Sequence, residues 1–224
     1  MEHKINVDKR MDKILGFVNP KEIDKILVIG TGIYPSIEEI LYKKFKIKHI
    51  TSGDIENKNI ENGMKTLPSL NFIYLDAQKK MPFKEDTFDK IILTEVLEHL
   101  RDEKIVLYEI KRILKKRGDF ILSVPKRRWF NLFNPITYVQ HVREYNEKSI
   151  RKVLGKNGFK VKKMFVGGSI FDILNLWIHL IYKHLFGVLH LENFFQSKFE
   201  KSYEEDFVGR GTDIIILALQ NKSY

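Results

Sequence analysis

Cysteine is absent from these 224 residues, which rules out a disulfide framework and every thiolate metal site. Also missing is any apolar core near the amino end: "MEHKINVDKRMDK" is charged throughout, unlike a secretory leader. A cytoplasmic protein is the expectation. No long apolar run is uninterrupted either. The best candidate, residues 170–191, contains Asp172, Asn175, His179, Lys183 and His190, which argues against a simple membrane span. Six prolines and 13 glycines are scattered without a linker, an internal repeat or a low-complexity tract.

What remains is 43% hydrophobic, enough for one sizeable core, so residues 1–224 read as a single domain. The 39 Lys and Arg outnumber the 29 Asp and Glu, leaving a net charge of +10. That excess suits an anionic substrate, nucleic acid or an anionic membrane face, and equally a solvated lysine-rich surface.

Val7, Met11, Ile14, Leu15 and Val18 recur at helical spacing before Asn19 and Pro20, so residues 1–24 form a helical cover at one edge of the core. "KILVIG" is a short buried strand ending in glycine, and residues 36–45 read as a helix with Ile37, Ile40, Leu41 and Phe45 on one face. Further strands are "IKHITS", "LNFIYLDA", "FDKIILTEV", "DFILSVP", "GFKVKKMFV" and "TDIIILALQ". Helices fall between them, one over residues 102–116 ending at Gly118 and another over residues 146–156. This alternation predicts a Rossmann-like α/β fold with helices on both faces of a parallel sheet. A helical insertion, residues 167–211, precedes the last strand.

Ligands of such sheets lie beyond the carboxyl ends of the strands. Gly30-Thr31-Gly32 stands at the first of those ends, where glycine permits a tight turn and a close approach to backbone amides. A dinucleotide fingerprint wants a small residue at its sixth place, which here is Pro35. Asp54 closes the second strand, where a carboxylate can accept two hydrogen bonds from a ribose diol or cap the next helix. Asp76 closes the third, suited to an amino group on a base or to an ordinary loop.

The order acid-Ala, "MPF", "FD", strand, "EVLEH", helix, "LKKRG", strand, "SVP", together with "VIGTG" and "GDI", resembles the class I S-adenosylmethionine-dependent methyltransferases. The likeness is to the methyltransferase type 11, ubiquinone-biosynthesis-like branch, and covers about residues 24–166. It implies seven strands, the last antiparallel, and S-adenosylmethionine as cofactor. By that resemblance Gly30, Thr31 and Gly32 face the cofactor's methionine part, Asp54 holds its ribose and Ile55 packs on the adenine. Asp76 and Ala77 meet the adenine edge, while Thr94 and Glu95 line the methionine end. Two places depart from the pattern: Val28 stands where the family has an acid, and Tyr34 where it has a third glycine. A catalytically silent binding or scaffold protein on this fold is therefore one alternative.

Methyl transfer from a sulfonium needs an aligned nucleophile and a dry site, without a metal. For a general base the sequence offers Glu95 and His99, four apart and on one face if that segment is helical, and His141 in "HVREY". Substrate choice is expected from two segments. In "KRRWFNLFNP", Lys126, Arg127 and Arg128 stand beside Trp129, as for a phosphate, a lipid headgroup or a base. In residues 170–191 the polar side chains fall within about an 80° arc, so the wide apolar remainder covers the core, a second subunit in a homodimer, or lipid. The expected acceptor is a small molecule, lipid-like or lipid-linked, with peripheral membrane contact through 170–191. An RNA methyltransferase is the competing enzyme.

Overall fold

The computed structural model describes residues 9–126, 142–168, 203 and 212–221. Its strands are β1 (Ile26–Ile29), β2 (Ile50–Asp54), β3 (Asn71–Tyr74), β4 (Phe88–Thr94), β5 (Leu114–Pro125), β6 (Phe159–Gly167) and β7 (Asp213–Gln220). They form one sheet in the order β3-β2-β1-β4-β5-β7-β6. All neighbours are parallel except β7, which runs antiparallel to both β5 and β6.

Alternation along each strand builds two cores, one on each face. Leu27, Ile29, Ile91, Leu93, Phe120, Leu122, Ile214 and Ile216 enter one. Ile26, Val28, Ile92, Ile121, Ile215 and Leu217 enter the other. Helices α4 (Glu103–Ile113) and α5 (Glu147–Lys156) cover the first with Val106, Leu107, Ile110, Ile150 and Leu154. Helices α1 (Lys9–Val18), α2 (Ser36–Lys43) and α3 (Asn57–Thr66) cover the second. Two polar caps set where helices start: Asp102 accepts from the Lys104 amide at α4, and Asn146 with Ser149 forms a capping box at α5.

Strand order reverses between β1 and β4, so the crevice beyond their carboxyl ends is the switch point of the sheet. Glycine turn and "TEVLEH" both open there.

Two expectations fail locally. The helix expected over residues 102–116 stops at Ile113, because Leu114 turns extended and pairs with Phe88. Gly118 is thus no helix cap but part of an irregular stretch of β5, where a Cβ would lie 2.9 Å from the Asp89 carbonyl oxygen. Nor do Glu95 and His99 share a helical face. Glu95 still bonds to Ser123 of β5 through its amide, at 3.1 Å, and adopts a φ of 54°. Only Leu97–His99 then makes a short 3-10 turn. Apart from Gly167, Gly168 and Tyr203, the insertion expected at 167–211 lies outside the described residues, as do Val7, Arg127, Arg128, Trp129 and His141.

Candidate functional site

Gly30 and Gly32 both take left-handed backbone angles, with φ of 89° and 67°. At Gly30 a Cβ would also sit 2.4 Å from Cγ2 of Val96, so the turn can approach the end of β4 only without a side chain. At Gly32 a Cβ would meet nothing within 4 Å. The Gly32 amide donates to Asp54 Oδ2 at 2.9 Å, and the Glu56 amide donates to Asp54 Oδ1 at 2.8 Å. Asp54 therefore ties the turn after β1 to the turn after β2. Its two oxygens keep further lone pairs for other donors. Three large apolar side chains flank these contacts in solvent: Ile33 at 64% exposure, Tyr34 at 79% and Ile55 at 53%. Val28, where an acid was expected by resemblance, is buried in the core and contributes nothing polar.

Asp76 lies beyond β3, where Oδ1 accepts from the Gln78 amide at 2.9 Å and Oδ2 pairs with Lys79 at 3.2 Å. Ala77 beside it is buried. Thr94 ends β4, half-buried, and so stands next to Glu95.

A second polar group lies at the ends of β4, β5 and β7. Glu95 Oε1 accepts from Ser123 Oγ at 2.7 Å and pairs with Arg10 of α1 at 2.6 Å. Arg10 also reaches Asp213 at 3.2 Å, and Asp213 accepts from the Tyr203 hydroxyl. Burial raises the Asp213 carboxyl above its ordinary range while Arg10 opposes the shift. Glu98 is fully buried, and neither of its carboxyl oxygens accepts a hydrogen bond among the described residues. Burial, then the charge of Glu95, pushes it up to about 9. At neutral pH Glu98 is thus a neutral acid. His99 Nε2 stands 3.8 Å from it.

Among the substrate candidates, Lys126 is no open cation. It is 5% exposed and pairs with Glu147 at 2.6 Å, while its amide joins Thr212. Sequence reading missed Arg10, Ser123, Asp213, Tyr203 and Glu98, which meet only through the fold. A signal did exist for Glu38: it stands three residues before Leu41 on the apolar side of α2. No group of three or more His, Asp or Glu side chains among the described residues is placed to hold a metal ion, and none of the described helices is long and apolar enough to cross a membrane.

The model of the methyltransferase domain family matches residues 27–122, from β1 to within β5, and so takes in Asp54, Asp76 and Glu95. Residues 27–122 are thus similar to a methyltransferase domain. The demethylmenaquinone methyltransferase of Thermotoga maritima is 31% identical over 114 residues, 51% of this chain and 48% of that protein. The chain spans about half the length of that curated relative. Among solved structures, phosphoethanolamine N-methyltransferase 2 of Haemonchus contortus, in complex with S-adenosyl-L-methionine, superposes with a TM-score of 0.69 at 15% identity. That alignment covers 94% of this chain and 52% of the other. The [4+2]-cyclase SpnF gives the same TM-score of 0.69 at 13% identity, covering 99% and 86%. At such identities the likeness shows the fold alone, and a cyclase on the methyltransferase fold makes the reason plain.

Proposed function

We propose that the chain is an S-adenosylmethionine-dependent methyltransferase acting on a small, lipid-like acceptor such as a prenylated quinol. The observation that carries the first half is Asp54, buried at the switch point, bonded to the Gly32 amide and still able to accept more. The donor set fits the cofactor: a carboxylate for a vicinal diol, a glycine turn with open space at Gly32, and exposed Ile33 and Ile55 for a flat ring. When bound, the cofactor supplies a methyl group already activated for attack.

The chain's own residues supply position and dryness. Asp54 would hold the ribose, Gly30, Thr31 and Gly32 the methionine part, Ile55, Asp76 and Ala77 the adenine. Thr94 and Glu95 would border the acceptor. Glu95 is locked between Arg10 and Ser123, which suits it to orient an acceptor's O–H or N–H more than to carry its proton away. Alignment of this type is worth about 7–11 kcal/mol of a barrier. His99, whose side chain is partly open to solvent, and His141 remain the candidates for a proton acceptor. The acceptor half of the proposal is supported by the menaquinone-type relative and by the mostly apolar sequence of residues 170–191.

Transfer of labelled methyl groups tests it, with prenylated quinols, a total lipid extract and bulk RNA offered in parallel. Label in the quinol or lipid fraction is the expected result. Label in RNA alone would replace the acceptor, and cofactor binding without label in any fraction would favour the silent scaffold, for which Val28 and Tyr34 are the arguments.

A further inference from the structure

We propose that Glu38 of α2 is a positioning residue for the cofactor turn, fixing it through Ser52 of β2 and Thr31. This rests on the cofactor reading above. Glu38 is 1% exposed, on the face of α2 that carries Ile37, Ile40 and Leu41 into the core. Leucine at such a place would cost nothing, whereas a buried carboxyl is costly unless it is bonded. It is bonded: Ser52 Oγ donates to Glu38 Oε1, and Thr31 Oγ1 lies 2.6 Å from Ser52 Oγ. All three side chains are buried. They form a polar line running from α2, through β2, to the residue between the two left-handed glycines.

That destination matters. Gly30 and Gly32 give the turn more conformational freedom than any other pair would. Besides the bond from the Gly30 amide to the Gly53 carbonyl, two side-chain links restrain it among the described residues: Asp54 on the Gly32 amide and this line on Thr31. Asp54 faces the proposed ligand, so the Glu38 line restrains the turn from beneath without touching the cofactor. A turn ordered before the ligand arrives binds it with less loss of entropy.

The proton on Glu38 decides how firmly the line is set. Burial pushes this carboxyl up to about 7, the charge of Asp54 acts in the same direction, and the bond from Ser52 opposes both. Glu39, next on the helix, is occupied by Lys43 at 2.7 Å. When ionised, Glu38 can only accept, so the hydroxyls must point one way: Thr31 to Ser52 to Glu38. When protonated it can also donate, and the line can run in either direction. The turn is uniquely anchored in the ionised form, so cofactor affinity should rise as pH climbs through neutrality.

The test is calorimetric titration with S-adenosylhomocysteine of the wild type, E38Q, E38L, S52A and the E38L/S52A double variant, with thermal melts to confirm folding. Wild-type affinity should rise about three- to tenfold between about pH 6 and about pH 8. E38Q keeps an acceptor but no titrating proton, so its profile should be flat across the same range. E38L and S52A should each lose about tenfold or more, and the double variant no more than either alone, because both break one line. Folded E38L that binds as wild type does, or an E38Q profile that still rises with pH, overturns the proposal while the cofactor reading stands. Should E38L not fold, E38Q and S52A decide by the same criteria. No binding by the folded wild type at any pH overturns the cofactor reading and this proposal with it.

Discussion

Two acid-bearing neighbourhoods share the carboxyl edge of this sheet, and they are held in opposite ways. At the ends of β1 and β2, Asp54 is fixed by the backbone amides of Gly32 and Glu56. At the ends of β4, β5 and β7, Glu95 and Asp213 share one cation, Arg10 of the amino-terminal helix, beside the hydroxyls of Ser123 and Tyr203, and the carboxyl oxygens of Glu98 accept no hydrogen bond among the described residues. The first arrangement is local and depends on turn geometry. The second is assembled over long sequence separations and depends on charge. The proposed cofactor end should therefore be more sensitive to backbone changes, and the proposed acceptor end to changes of charge.

The largest effect should come from Arg10→Ala. It leaves two carboxyls without their shared cation, and breaking a buried ion pair costs about 3–5 kcal/mol. Because Arg10 and Glu95 both retain exposure, a loss at or below the lower end is expected in denaturant unfolding. A loss within the scatter of surface variants would show that Arg10 does not hold the two carboxyls together. Next is Gly30→Ala, which combines a φ of 89° with a Cβ 2.4 Å from Val96. A destabilisation of about 1–3 kcal/mol is expected, accompanied by loss of cofactor affinity.

The pH dependence separates the two ends further. Glu38 and Glu98 are raised from 4.5 to about 7 and about 9. Each stays protonated in the folded chain at pH values where the unfolded chain has released its proton. Their stabilising contribution is full below 4.5 and is withdrawn as pH rises through about 7 for Glu38 and about 9 for Glu98. Thermal melts of E98Q should therefore lack the decline that the wild type shows on the approach to pH 9. E38Q should lack the earlier one. The smallest effect belongs to Ser123→Ala, which removes one hydroxyl donor from Glu95 while Arg10 remains. About 1 kcal/mol is expected.

The same contrast explains what could be read from the sequence. Strand and helix order, the glycine turn and Asp54 are written in short stretches whose spacing carries their geometry, and the sheet follows from alternating apolar positions such as those of Ile26, Leu27, Val28 and Ile29. Boundaries failed where a partner strand overrode a local pattern, as when Leu114 paired with Phe88 and ended α4 early. Arg10 was hidden among other charges in a lysine-rich helix, with nothing local to mark it as a partner of Glu95, 85 positions on in the numbering. Lys126 looked like a free cation beside aromatics, yet its ammonium is taken by Glu147. Glu38 was legible in principle, since an acid on the apolar side of an amphipathic helix needs a partner.

Whether the switch point binds the cofactor through Asp54 is decided by one titration: S-adenosylmethionine and S-adenosylhomocysteine added to the intact, folded protein, with Asp54→Ala alongside. One-site binding to the wild type is expected, with a loss of about 100-fold or more in the variant, given charge-assisted bonds of about 1.5–3 kcal/mol each. Folded wild-type protein that binds neither ligand, or Asp54→Ala that binds both as tightly as the wild type, would contradict it.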